Sequence, residues 1–271
     1  MKNTNLRKLT VGSANDVAST QESAKNEPEL TYLLSLRSAI STMYLMNTCI
    51  RTVLIPLASA NVTIRRDMEK SATIAIDRME EKVNAIMQRS IDAALTWVNK
   101  LLARQLKSDF RPKDDALSGG GAWLEQLQTP TCKSIHTFLK GLHNLALTAV
   151  APSPNLTAFL TELALNVRSL LLEHFKKFSV NAAGGIMVTK DISKYIELLR
   201  SWELDPSFDP SFEVLTEIGN LFVIGPDALK ERLRGKGAMG GGAWEKSDLR
   251  AYVLRREDVG SVGVQSALSA L

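Results

Sequence analysis

Cys132, His136 and His143 are the side chains best suited to chemistry. On one helix they fall at i, i+4 and i+11, which would set a thiol and two imidazoles on one face, as a metal ion bound from a helix requires. A zinc site needs a further ligand or a water and an acidic neighbour. The other candidates are Cys49, His174 and carboxylates remote in sequence. Packing explains the same residues equally well, Cys132 as a core thiol and the imidazoles as a helix flank, so no metal is expected. For nucleophilic catalysis there is no G-x-S-x-G elbow. The acid pairs Asp114-Asp115 and Glu80-Glu81 fall in a turn and on a long helix, where solvated charge is the ordinary state. Gly235 to Gly240 spells G-x-G-x-x-G, but it follows a helix and lacks the strand that would aim it at a pyrophosphate, so it reads as a linker. No catalytic residue, no cofactor site and no small-molecule substrate are expected, and the chain is not expected to be an enzyme.

Charge offers a second kind of chemistry. Thirty-three basic against 29 acidic residues leave +4 over 271 residues, too dilute for a dedicated nucleic-acid binder, which concentrates its excess on one face. Local clusters stand out at Arg65-Arg66, Lys176-Lys177, Lys230 to Lys236 and Arg255-Arg256. Lys176, Lys177, Arg255 and Arg256 form the candidate interaction surface, able to meet an acidic partner or an anionic membrane if they converge in space. Otherwise they serve solubility.

The elements that must position these groups are all helical. Leu156, Phe159, Leu160, Leu163, Val167, Leu170, Leu171, Phe175 and Phe178 repeat at the three-and-four spacing of one helix face behind an Asn155 cap. Gly184-Gly185 is expected to stop that helix, with Thr189 or Asp191 capping a second one through Ile192, Tyr195, Ile196 and Leu199. From Glu29 an apolar pattern runs to Pro56, which should kink or end it. Such a helix is buried, here or against a partner. Between Pro56 and Pro112 there is neither glycine nor proline, which predicts a helix of about 45 residues, on the order of 65 Å long, and hence an elongated molecule. Thr129-Pro130 and Asp209-Pro210 have the order of helix starts, Pro226 to Arg234 forms a short helix, and another begins near Ser247. The tail after Gly260 is expected to fray. GGGAW recurs at Gly119 to Trp123 and Gly240 to Trp244 as a shared linker style.

The domain reading is a flexible lead over 1–28, a long-helix region over 29–115, linker and helix over 116–150, a C-terminal helical bundle over 151–234, a Gly-rich linker over 235–245, and a terminal helix and tail over 246–271. The first residues carry no apolar signal-peptide core, and the thirteen residues between Arg37 and Arg51 fall short of the roughly 18 to 20 that span a bilayer. Neither a leader nor a transmembrane segment is expected. Cys49 and Cys132, both in apolar helical patterns, fit free thiols in a reducing compartment.

Several blocks resemble the Sec-ten family, exocyst complex component five: NVTIRRDME, RMEEKVNAIMQRSIDAALTWVNKLLARQ, KSDFRPKDD, FLTELALNVRSLLLEHFKKFSVNAAGGIMVTKDISKY, EIGNLFVIGPDALKERL and LRAYVLRRED, in family order from about Glu29 onward. These are packing signatures and not chemistry. The resemblance implies an all-α, elongated rod of stacked antiparallel helical bundles, of the kind multisubunit tethering complexes share. It further implies a subunit that pairs with other exocyst subunits and holds secretory vesicles at the plasma membrane before fusion, cytoplasmic and peripheral at sites of polarised secretion. A recyclin-like F-box protein of endocytic recycling, whose C-terminal region is similar, and a peripheral membrane-binding module are the alternatives. Family members are considerably longer, and the glycine-rich stretches at Ser118 to Ala122 and Gly235 to Ala243 depart from the family pattern.

Overall fold

A computed structural model describes residues 28, 30–112, 128–234 and 246–269. Among these residues no strand occurs, and the one β-bridge joins Val180 to Arg256. The chain is all-α, as its periodicity predicts. Both GGGAW segments and the N-terminal lead before Pro28 lie outside the described residues.

Helix α1 begins at Leu33 and continues to Ala60. It widens into a π turn over Ile50–Leu54 just before Pro56, whose ring cannot donate to the preceding turn and crowds its carbonyl. The proline thus loosens the helix without ending it. Asn61 then caps α2 (Val62–Leu102), its side chain accepting from the Ile64 N–H. The 41 residues of α2 extend for about 60 Å at 1.5 Å per residue. Tyr32 and Ser90 share a 2.9 Å hydrogen bond, so α1 and α2 form an antiparallel hairpin whose apex is the turn around Ala60.

Burial is unequal along this hairpin. Leu33 and Leu36 are buried at the base of α1, and the buried residues of α2 all lie between Met87 and Leu102. Tyr44, Leu45, Leu57, Val62 and Ile64 are exposed. The sequence predicts an α1 buried here or against a partner; among the described residues only its first turns are covered. As α1 carries helix across Arg51 and Pro56, its 28 residues include a stretch of 18 with a mean hydropathy of 1.2, so the helix is, by length and composition alone, long and apolar enough to cross a membrane. The uncharged run between Arg37 and Arg51 understated that length.

The core is built by α3 (Pro130–Ala149), α4 (Pro154–Phe175), α5 (Ala182–Arg200) and α6 (Asp209–Val223) packed on the base of the hairpin. Thr129 caps α3 as its sequence indicates, accepting from the Cys132 N–H. The apolar face of α4 is buried as its spacing predicts, but Ser153, not Asn155, is its cap, with Pro154 opening the first turn. Gly184-Gly185 does not stop α4, which ends at Phe175; both glycines sit in the first turn of α5, capped by Asn181 rather than by Thr189 or Asp191. A Cβ on Gly184 would stand 1.6 Å from the Phe110 carbonyl oxygen. These glycines therefore permit close approach between backbones, a role local propensity does not reveal.

Among the described residues three short helices complete the C-terminal part: α7 (Pro226–Arg234), α8 (Lys246–Val253) and α9 (Val262–Leu268). The tail, among the described residues, does not fray. Ser261 caps α9, which buries Val264, Ala267 and Leu268 while packing on α7.

Candidate interaction surface

The corner between α4 and α5, Lys176 to Asn181, runs beside the end of α8. The Val180 N–H donates to the Arg255 carbonyl at 2.8 Å, and the Glu257 N–H returns to Val180 at 2.9 Å. The Lys176 ammonium lies 5.6 Å from the centre of the Tyr252 ring, and the Tyr252 hydroxyl donates to the Leu172 carbonyl at 3.1 Å. Packing thus brings Lys176, Lys177 and Arg255 to one edge of the bundle, a convergence invisible in sequence. Lys177 and Arg255 are exposed there, and Lys176 is half-buried and paired with Glu173 at 2.6 Å.

Arg256 does not join that surface. It is 7% exposed; its Nη1 donates to the Leu221 and Ile224 carbonyls at 2.6 and 2.8 Å, and its other face makes two 2.8 Å bonds to Asp258. Carbonyls at a helix C-terminus have no partner within the helix, and the guanidinium fork satisfies those that close α6. Hydrogen bonding to Arg256 holds the Asp258 carboxyl below its ordinary range. Of the four predicted surface cations, Lys176, Lys177 and Arg255 remain, and Arg256 is a strut.

The metal-like trio is separated by its packing. The Cys132 thiol is fully buried, 3.8 Å from the Asp191 carbonyl oxygen, and burial raises its pKa far above the thiol range, aided by the Asp191 charge. His143 instead stacks on Trp202 at 5.5 Å with the planes 11° apart. Burial lowers the pKa of both His136 and His143. Among the described residues no three His, Cys, Asp or Glu side chains come together as an ion would need. His174 is buried against Phe175 and Phe178, and burial, with Lys177 adding to it, lowers its pKa to about 4. Neutral at pH 7, it packs as a flat ring. Cys49, despite its place in an apolar helical pattern, is exposed on α1.

The polar cluster missed by sequence reasoning is Asp191 with Thr129. One Asp191 oxygen accepts from the Thr129 N–H and the other from its hydroxyl, both at 2.7 Å. That hydroxyl in turn accepts from the Cys132 N–H at 3.2 Å, so Asp191 on α5 sets the rotamer that caps α3. Burial raises the Asp191 pKa to about 6, against the lowering effect of the Thr129 bonds. The folded state therefore binds this proton more tightly than the unfolded chain, and the contribution to stability rises as pH falls from about 6 toward about 4. Asp191→Asn should flatten that slope in urea titrations across this range. Asp191→Ala, which leaves the buried Thr129 N–H without an acceptor, should cost about 1 to 3 kcal/mol.

Residues 9–268 match the family described as "Exocyst complex component Sec10-like, alpha-helical bundle". Exocyst complex component SEC10a of Arabidopsis thaliana is 29% identical over 234 residues, covering 86% of this chain and 26% of that protein. Exocyst complex component SEC10 of Saccharomyces cerevisiae is 28% identical, with 84% and 25% covered. Human exocyst complex component 5 is 23% identical, with 89% and 33% covered. The chain thus spans about a quarter to a third of the length of these relatives.

Proposed function

The chain belongs to this Sec-ten family of exocyst components, and we propose that it serves as the helical-bundle part of a non-enzymatic exocyst subunit that links secretory vesicles to the plasma membrane before fusion. The observation that carries the reading is the match across nearly the whole chain to a family whose relatives are named exocyst components. The architecture suits such a role. It offers a broad helical surface, a buried polar network that serves as a cap, and a long hairpin whose far half finds no cover among the described residues. In this reading the partners are other exocyst subunits, and the protein is cytoplasmic, peripheral at the plasma membrane and at vesicles in secretory zones.

Affinity capture of the tagged chain from cell lysate, read by mass spectrometry, should recover exocyst subunits; recovery of an F-box complex in their place would assign the chain to the recyclin-like alternative. Within this proposal Lys176, Lys177 and Arg255 form a contact surface for an acidic partner. Lys176→Glu with Lys177→Glu should then lower subunit recovery in a salt-dependent manner. The elongated shape belongs to the same proposal. Small-angle scattering should give a radius of gyration well above the roughly 18 to 19 Å of a compact chain of this length, and a value in that range would refute it.

A further inference from the structure

The apex of the α1–α2 hairpin gathers exposed aliphatic side chains that none of the described residues covers: Leu57 is 76% exposed, Val62 70% and Ile64 51%, with Val53 and Leu54 beside them. From Thr52 to Ile64 no side chain is charged. Arg51 lies behind this apex on α1, and Arg65 and Arg66 lie behind it on α2. No aspartate or glutamate occurs between Leu30 and Arg66. Arg51 lies about 9 Å along its helix from Leu57, and Arg65 about 5 Å from Val62, at 1.5 Å per residue. That is the depth by which charge must trail apolar surface when a segment rests in a bilayer interface.

We propose that this apex is a membrane-contact site, seating its uncharged residues in the interface of an anionic lipid bilayer while Arg51, Arg65 and Arg66 engage the headgroups. The backbone is prepared for that environment. The Asn61 side chain accepts from the Ile64 N–H at 3.1 Å, and the Asn61 N–H donates to the Ala58 carbonyl at 3.0 Å, so the turn presents fewer unpaired polar groups to lipid. The Arg51 Nε donates to the Asn47 side chain at 2.9 Å, and Arg65 lies 3.6 Å from Glu69; both partners lie one turn farther from the apex.

A bilayer fits this apex better than a helical partner does. A partner helix would find a continuous apolar stripe on α1 alone, through Leu45, Val53 and Leu57, because beyond Ile64 the sequence of α2 turns at once to Arg65, Arg66, Asp67, Glu69 and Lys70. The aliphatic groups sit instead at the end of the hairpin and come from both helices. Those charges on α2 also oppose a full span, despite the length and hydropathy of α1, and limit insertion to the apex.

The test is co-sedimentation of the full chain with phosphatidylcholine vesicles with and without phosphatidylserine. Binding should require phosphatidylserine and weaken with salt. At roughly 1 kcal/mol per basic residue, replacing Arg51, Arg65 and Arg66 with glutamine should lower partitioning about 100-fold. Leu57→Asp with Val62→Asp should lower it about tenfold or more. These positions are exposed, so thermal melts should remain at the wild-type value. A Leu57→Trp variant should show a blue-shifted emission on those vesicles. Failure of the wild-type chain to bind, equal binding to neutral vesicles, or undiminished binding by the aspartate variant would each overturn the site. So would loss of binding on Lys176→Glu with Lys177→Glu in place of the apex variants. Self-association abolished by the aspartate pair without vesicle binding would assign the apex to a second copy of the chain and likewise overturn it.

Discussion

Gly184→Ala should destabilise the protein by about 3 kcal/mol or more, while the same substitution at Gly141 should stabilise it by up to about 1 kcal/mol. Both glycines lie within helices, so helix propensity favours alanine at each. Their surroundings reverse the sign. Nothing stands within 4 Å of a Cβ built on Gly141, but at Gly184 that atom would fall 1.6 Å from the Phe110 oxygen and 2.3 Å from its carbonyl carbon. What must yield is backbone, and it is anchored: Asn181 donates its N–H to the Phe110 carbonyl at 3.3 Å and its side-chain amide to the Pro112 carbonyl at 2.8 Å. Moving that segment also withdraws the fully buried Phe110 ring from Phe175 and Phe178, at centroid distances of 5.9 and 5.3 Å. Gly185 should be less severe, since its nearest atom, the Phe222 oxygen, stands at 2.7 Å. Urea midpoints at unchanged slope would rank the three variants. A Gly184→Ala protein of normal stability would show that the Phe110 segment is not seated on α5.

The same glycines mark where sequence reading runs out. Periodicity located the faces of α3, α4, α5 and α6, because burying an apolar stripe is decided by residues three and four apart. Phe159, Leu163, Val167, Ile192, Tyr195, Leu215 and Ile218 are all buried. Glycine has two physical uses, ending a helix and admitting another backbone, and only a tertiary neighbour distinguishes them. Ser153 and Asn181 were open to recognition as caps, since Pro154 follows the first and a small-residue run follows the second. The candidate surface divides in a similar way. Composition identified Lys176, Lys177, Arg255 and Arg256 as cations, yet whether a guanidinium meets solvent or the end of α6 depends on where that helix stops. Asp191 reads in sequence as a candidate cap of its own helix, and nothing there marks it as the buried partner of Thr129, which lies 62 positions away.

Phe175→Ala should cost about 3 to 5 kcal/mol, enough to unfold a marginal domain. The ring closes the last turn of α4 at 2% exposure, beside His174 of the same helix at 5.6 Å and against Phe110 from the segment after α2 at 5.9 Å, and Phe110 in turn packs on Phe178 of the corner. Truncation leaves a void lined by aromatic groups that cannot collapse inward, because Phe110 is tied to α5 through its carbonyl. The neighbouring pair should behave oppositely. Lys176→Glu with Lys177→Glu removes one ion pair to Glu173, whose carboxylate is largely exposed, and surface pairs contribute about 0 to 1 kcal/mol. Two adjacent positions in one corner should therefore separate stability from recognition, the phenylalanine lowering the thermal midpoint and the lysines lowering partner capture at an unchanged midpoint. A stable Phe175→Ala variant would place that face outside the core. A large drop in midpoint for the lysine pair would mean that the corner is held by its charges, and its role as a contact surface would have to be given up.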